Sequence, residues 1–126
     1  MILREIVDLL DARVLAGEEY LDVEVATAFS ADLMSDVLAF AKPGSIMITG
    51  LTNPQIVRIA SIVDNSAILI VRGKTPPRET ISLAEELKIP VLSTKYILFE
   101  TSGRLYAKGI VGCVEKIEGN ESVVPL

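Results

Sequence analysis

The sequence reads SIMITGLTNP over residues 45–54 and AILIVRGKTPP over residues 67–77. Each stretch begins with an apolar run that is typical of a strand buried on both faces. Each run ends at the pattern x-Gly-x-Thr-x-Pro, after which apolar residues recur at helical spacing. The pattern positions are Gly50, Thr52 and Pro54 in the first stretch and Gly73, Thr75 and Pro77 in the second. The chain therefore uses the same strand–turn–helix unit twice in succession.

Two consecutive units of this kind indicate an α/β fold with a central, mainly parallel sheet. A third strand is predicted at residues 91–93, directly before Thr94 and Lys95. The carboxyl ends of parallel strands meet at one edge of a sheet, and α/β proteins bind ligands in the crevice outside that edge. The sequence therefore predicts where a ligand would bind as well as the fold class.

The rest of the chain shows shorter signals. Helical spacing predicts helices at residues 2–10, 54–63 and about 96–107, and one that carries Met34 and Val37 and is capped by Ser30 or Asp32. Short strands are predicted at residues 13–15 and 21–28. We expect residues 1–107 to form a single domain, and residues 108–126 to be a tail or an added edge strand.

Composition excludes several classes of function. The 126 residues are 50% hydrophobic and carry a net charge of −5, with 5% aromatic residues and no Trp. Proteins that hold single-stranded nucleic acid use aromatic side chains in a basic groove, so nucleic-acid binding is disfavoured. No apolar run reaches the ~18 residues of a membrane span, and no secretion signal is recognisable. Together with the single cysteine, this predicts a cytoplasmic protein without a membrane partner.

Polar and cationic residues follow all three predicted strand ends. They are Thr49, Gly50, Thr52 and Asn53 after the first strand, Arg72, Gly73, Lys74 and Thr75 after the second, and Ser93, Thr94 and Lys95 after the third. Cations, hydroxyls and helix N-terminal amides together bind anions. These residues are our candidate ligand-binding site for a phosphorylated metabolite or a nucleotide. In the alternative interpretation, the glycines only permit tight turns, the prolines only start helices, and the cations are merely solvated.

Signals for catalysis are weak. The P-loop pattern and the G-x-G-x-x-G fingerprint are absent. The chain has no histidine, which removes the usual general base and a Ser-His-Asp triad, and it has too few ligands for an ordinary zinc site. Two routes stay open: an amine nucleophile at Lys74 or Lys95, and a Mg²⁺ site at the Asp32 and Asp36 carboxylates. A solvated helix face is the favoured interpretation of the carboxylates, and we predict no catalytic residue, no metal and no cofactor.

Residues 45–95 resemble the DRTGG domain family. The resemblance is carried by ITGLTNP at 48–54, IVRGKTPP at 70–77, IPVLSTK at 89–95 and, in the flanking segment, DLMSDVL at 32–38. It extends over about residues 1–107 and is greatest to small stand-alone DRTGG proteins. Related domains lie between CBS domains in some inorganic pyrophosphatases and beside the catalytic domain in some phosphotransacetylases.

The resemblance implies a three-layer α/β/α fold, similar to the N-terminal domain of HPr kinase/phosphorylase, which is not the kinase part of that enzyme. It also implies an accessory domain that regulates or assembles, often as a dimer. The chain departs from the motif that names the family. Thr52-Asn53 stands where the family can have Asp-Arg, and Val71-Arg72-Gly73 stands where it can have Thr-Gly-Gly.

Two hypotheses follow for the function. The first is a non-catalytic homodimer that senses a small phosphorylated or nucleotide ligand at the strand ends. The second is a structural domain for protein–protein assembly, without a small-molecule ligand. Val57 and Ile62 widen the apolar surface of the helix at 54–63, so they are the predicted interface residues, and the helix at 2–10 is predicted to contribute to the same interface.

Overall fold

The computed structural model describes residues 1–117. The strands are β1 (Arg13–Ala16), β2 (Thr27–Ser30), β3 (Ser45–Thr49), β4 (Ala67–Ile70), β5 (Val91–Ser93) and β6 (Val111–Gly112). The helices are α1 (Leu3–Leu10), α2 (Met34–Phe40), α3 (Gln55–Ile62), α4 (Arg78–Leu87) and α5 (Leu98–Ala107), and a 3₁₀ helix covers Glu18–Tyr20.

All six strands belong to one sheet, in the order β1-β5-β4-β3-β2-β6. Neighbouring strands are parallel except at one edge, where β1 runs antiparallel to β5. Because β3, β4 and β5 are adjacent and parallel, their carboxyl ends meet at the same edge of the sheet. The predicted α/β fold with a mainly parallel sheet is confirmed.

Side chains of the central strands alternate between two cores. On β3, Ile46 and Ile48 pack on the side of α1 and α5, and Met47 packs on the side of α2, α3 and α4. The buried residues of β4 alternate in the same way, with Leu69 on the first side and Ile68 on the second. Helices therefore cover both faces of the sheet, and the three-layer α/β/α architecture is confirmed.

The strand predicted at residues 21–28 is wrong for most of its length, since only β2 at Thr27–Ser30 joins the sheet. The preceding segment bonds instead to the start of α1: the amides of Leu3 and Arg4 donate to the carbonyls of Val23 and Leu21. Leu21 and Val25 are buried in the core beside α1. Leu21 and Val25 thus pack against a helix and do not belong to a strand of the sheet.

The structure also corrects the predicted start of α2. Leu33, in extended conformation, is the residue at the N-cap, and neither Ser30 nor Asp32 caps the helix. The Ser30 hydroxyl lies 2.7 Å from that of Ser102 on α5, and Asp32 bonds to the end of β3. Both side chains are occupied by tertiary contacts, so the cap that their spacing predicted does not form.

Val57 is a correction to the predicted interface, because it is fully buried within the protomer. It lies on the flank of α3, and α3 packs against α2 on one side and α4 on the other. Ile62, in the last turn of the same helix, is 70% exposed. Only the second of the two residues is therefore free to contact a partner.

The segment after α5 adds a short edge strand, because β6 pairs in parallel with β2. The remainder of the predicted tail, residues 118–126, lies outside the described residues. Within residues 1–117, the structure contains no helix with both the length and the apolar character that a membrane span requires.

Candidate ligand-binding site at the carboxyl edge of the sheet

The structure brings the candidate residues together at the carboxyl edge of β3, β4 and β5, and adds one that the sequence analysis did not include. Because β1 is antiparallel to β5, its first residue, Arg13, is paired with Ser93 at the same edge. The sequence predicts a short strand there but carries no signal for its direction. Arg13 therefore lies at the candidate site because β1 runs antiparallel to β5.

The turn after β3 is held by charged side chains from both neighbouring strand ends. Asp32, which follows β2, accepts hydrogen bonds at Oδ1 from the Gly50 amide at 2.8 Å and from the Thr49 hydroxyl at 3.0 Å. Lys74, which follows β4, donates from Nζ to the carbonyl of Gly50. Thr49 and Lys74 therefore link strand ends. Asp32, which the sequence pattern favours as part of a solvated helix face, instead bonds to the end of β3.

The turn after β4 has two consecutive residues in the left-handed region, with φ values of +66° at Arg72 and +64° at Gly73. The Arg72 amide donates to the carbonyl of Tyr96 at 2.9 Å, and the Gly73 amide donates to that of Thr94 at 2.8 Å. These amides are therefore not free to bind an anion. The Arg72 side chain, by contrast, is exposed and has no ion-pair partner among residues 1–117.

Two buried hydroxyls of the candidate set also have structural partners. Ser93 donates from Oγ to the carbonyl of Lys74 at 3.0 Å. Thr94 donates from Oγ1 to the carbonyl of Leu10 at 2.8 Å, which connects the end of β5 to the end of α1. These residues shape the edge of the sheet, and their hydroxyl protons are already used.

The turn between β3 and α3 is tied down in a similar way. The Asn53 side chain accepts from the Gln55 amide at 3.0 Å, as expected of an asparagine at a helix start. The carbonyl of Thr52 accepts from the Thr80 hydroxyl at 2.7 Å. Among the eleven candidates, the exposed side chains without such contacts are those of Arg72, Thr75 and Lys95.

A cleft with a volume of about 730 Å³ lies at this edge, between the α1–β1 turn and the ends of β4 and β5. Its lining residues are Leu10, Asp11, Ala12, Arg13, Gly73, Ser93, Thr94, Lys95 and Tyr96. Tyr96 contributes an aromatic ring, and the Arg104 guanidinium lies over that ring at 4.2 Å from its centroid. The size is in the range of small-molecule binding pockets.

Charged groups of both signs line the cleft. The exposed side chains of Arg13 and Lys95 supply two cations, and that of Asp11 supplies one carboxylate. None of the three forms an ion pair within residues 1–117. The same part of the chain has no cluster of three or more His, Cys, Asp or Glu side chains that could hold a metal ion. The arrangement is therefore suited to an anionic ligand.

A family model described as the DRTGG domain matches residues 5–107. The chain belongs to the DRTGG domain family. The match covers the sheet from β1 to β5 and all five helices except the first two residues of α1, so it includes the whole candidate site. The resemblance seen in the sequence is thereby confirmed.

One solved structure with a similar fold is the crystal structure of the CBS and DRTGG domains of the regulatory region of Clostridium perfringens pyrophosphatase, complexed with its activator diadenosine tetraphosphate. The two chains are 24% identical, with a TM-score of 0.71. The alignment covers 94% of this DRTGG chain and 51% of the pyrophosphatase chain, so this chain spans about half of that neighbour's length. A comparison with curated proteins gives no match.

The conformation of Arg72 explains one departure from the family motif. The family can have glycine at this position, and a φ of +66° is a conformation that glycine adopts readily. This DRTGG domain keeps the left-handed backbone but has an arginine, at a cost of roughly 1–2 kcal/mol. Backbone strain of this kind is often found at functional sites, and here it adds a cation at the edge of the sheet.

Proposed function

We propose that this DRTGG domain is a non-catalytic regulatory module that binds a small phosphorylated or nucleotide ligand at the carboxyl edge of its sheet and acts as a homodimer. The observation that carries the proposal is that three exposed cations at one edge of the sheet, Arg13, Arg72 and Lys95, form no ion pair with any of residues 1–117. They lie at one edge of a chain whose net charge is −5. Unpaired cations beside a cleft favour binding of phosphate groups.

Two further observations support this role. The pyrophosphatase neighbour is a regulatory region complexed with a nucleotide activator that carries several phosphates. Two of the four groups considered for chemistry are already bonded within the fold: the Lys74 ammonium to the Gly50 carbonyl, and the Asp32 carboxylate to two donors. We therefore propose a sensor without catalytic residues, metal or cofactor. It would act in the cytoplasm and bind neither nucleic acid nor membrane.

The experiment that tests this function is thermal unfolding of the purified protein with nucleotides, phosphorylated metabolites and inorganic phosphate. A ligand at 100 times its Kd stabilises the folded state by about 2.7 kcal/mol. For a domain of this size, the unfolding midpoint should rise by several degrees. We expect such a shift for at least one phosphorylated compound, and the absence of any shift across the series would contradict the proposed function.

A pair of double variants locates the site. Arg72→Gly with Lys95→Gln removes two cations from the edge and suits the left-handed backbone at residue 72. Lys42→Gln with Arg58→Gln removes the same charge from exposed positions away from that edge. We expect the ligand-induced shift to disappear in the first variant and to persist in the second. Equal losses in both would assign the effect to overall charge rather than to this site.

The alternative function, an assembly domain without a ligand, is supported by a different surface. Phe99 is 82% exposed and Tyr106 is 68% exposed. They are seven residues apart on one face of α5, with Gly103 between them and open space around it. Large exposed apolar side chains of this kind mark interaction surfaces. If no ligand stabilises the protein but a stable dimer forms, this alternative is favoured.

A further inference from the structure

The cleft between the α1–β1 turn and the ends of β4 and β5 has a property that a simple phosphate site does not need, which is an aspartate among the residues that line it together with the cations. Asp11 lies on the wall formed by the α1–β1 turn, and Arg13 starts the adjoining strand. Lys95, which follows β5, also lines the cleft. Although the three charges share one cleft, no oxygen of Asp11 comes within 4.0 Å of a nitrogen of either cation.

The backbone on both sides of the cleft is fixed. Asp11 ends α1 in the left-handed region, with a φ of +48°. The Thr94 hydroxyl bonds to the carbonyl of Leu10, the residue before Asp11, and Arg13 is held in register with Ser93. The backbone positions of Asp11 and Arg13 relative to β5 are therefore set by the packing of α1 and β1 against β5.

The separated charges specify the chemistry of a ligand. The cations would bind a phosphate group, whereas the carboxylate accepts hydrogen bonds and repels a second anion. A ligand that contacts all three charges needs a phosphate for the cations and hydrogen-bond donors for the carboxylate. Asp11 does not contribute to the binding of inorganic phosphate, because both groups are anions.

Resting on the proposed function above, we infer that the ligand of this cleft is a ribonucleotide. Its phosphate is bound by Arg13 and Lys95, and its ribose 2′- and 3′-hydroxyls donate to Asp11. The cleft volume of about 730 Å³ accommodates a ligand of this class. A sugar diol next to a phosphate is the feature that distinguishes this ligand from inorganic phosphate.

The test compares ribonucleoside 5′-monophosphates with their 2′,3′-dideoxy counterparts and with inorganic phosphate, by isothermal titration calorimetry on the full chain. We expect a ribonucleotide to bind at least about tenfold more tightly than its dideoxy counterpart, which corresponds to ~1.4 kcal/mol. Equal affinities for the two would overturn the inference. So would tighter binding of inorganic phosphate.

A matched pair of variants isolates the carboxylate. Asp11→Gly removes the side chain at a position whose left-handed backbone suits glycine, so the fold should be retained. Asp64→Gly makes the same change at another exposed aspartate with a positive φ, which lies outside the cleft. We expect Asp11→Gly to bind the ribonucleotide and its dideoxy counterpart with about equal affinity. In Asp64→Gly the preference for the ribonucleotide should be unchanged.

The results separate this inference from the proposed function. If phosphorylated compounds bind but Asp11→Gly does not change the preference for ribose, the assignment of Asp11 is wrong and the sensing function stands. If Arg13→Gln and Lys95→Gln leave nucleotide affinity unchanged, the ligand binds elsewhere on the domain. If no phosphorylated compound binds the wild-type chain, both the inference and the sensing function are overturned.

Discussion

Arg72 shows how a single residue can combine a structural cost with a functional group. Its φ of +66° is unfavourable for every residue with a Cβ, whereas its amide bonds to the Tyr96 carbonyl and keeps the turn closed. The following residue, Gly73, has the same backbone conformation without the cost. We therefore expect substitutions at these two neighbouring positions to differ in their effect on stability.

We expect Arg72→Gly to change the free energy of unfolding by less than about 0.5 kcal/mol, because relief of the left-handed strain offsets the greater freedom of glycine in the unfolded chain. Gly73→Ala, which introduces the strain, should destabilise the domain by about 1 kcal/mol. Urea unfolding of both variants measures the difference. A large loss of stability in Arg72→Gly would show that the guanidinium itself stabilises the fold.

Asp32 is the second residue whose role depends on its contacts. It accepts from the Thr49 hydroxyl and from the buried amide of Gly50. Asp32→Ala leaves that amide without its charged acceptor, so we expect a loss of about 2 kcal/mol in unfolding free energy. Asp36→Ala, which removes an exposed carboxylate from the first turn of α2, should cost less than about 1 kcal/mol. Equal effects, measured by urea unfolding, would contradict the structural role of Asp32.

At the scale of elements, the connection after β1 depends on one glycine. Gly17 has a φ of +82°, and a Cβ at this position would lie 2.7 Å from the Cα of Pro90. The neighbouring atom is backbone, so it cannot move away without shifting the segment that leads into β5. Close approach of the two chain segments therefore requires glycine here.

Substitution of Gly17 by alanine should destabilise the domain by about 2 kcal/mol or more, because strain and steric overlap add. Gly109→Ala is the matched control: its φ is +100°, but within residues 1–117 no atom beyond its two chain neighbours lies within 4 Å of the added Cβ. That variant should lose only about 1 kcal/mol, from backbone strain alone. Guanidinium unfolding compares the two, and a Gly17→Ala variant no less stable than Gly109→Ala would contradict the close contact.

At the scale of the whole molecule, α3 presents two apolar residues with different roles. Val57 belongs to the core between the sheet and helices α2 to α4, and Ile62 projects from the end of the helix. If the domain is a homodimer through this helix, Ile62→Asp should shift the sedimentation coefficient from dimer to monomer with little change in stability. Val57→Ala should instead lower the unfolding free energy by about 2 kcal/mol and leave the oligomeric state unchanged.

Phe99→Asp on α5 completes the comparison of interfaces. We expect this variant to remain dimeric, because the predicted interface lies on the opposite face of the sheet. Dissociation of Phe99→Asp, but not of Ile62→Asp, would place the interface on α5. A wild-type chain that sediments as a monomer at high micromolar concentration would overturn the proposed homodimer.

The sequence predicted the central elements well because their signals are local. The apolar runs before Gly50 and Gly73 form β3 and β4, and the helices that follow begin close to the expected prolines. Signals from the N-terminal part were misleading where the same periodicity serves two kinds of packing. Leu21, Val23 and Val25 alternate like a strand, but Val23 is exposed, and Leu21 and Val25 pack beside α1.

Local patterns by themselves therefore determined the strand–turn–helix units, the parallel sheet and the edge at which polar side chains collect. Spacing along the chain is sufficient for these features because they depend on neighbours a few residues apart. Tertiary structure decided which of those side chains are available. Thr94 bonds to Leu10, Lys74 bonds to Gly50, and Arg13 reaches the edge only through antiparallel pairing. Hydrogen bonds between distant segments occupy some of these polar groups and leave others available to a ligand. These bonds form only in the folded chain, so local sequence patterns do not predict which groups stay available.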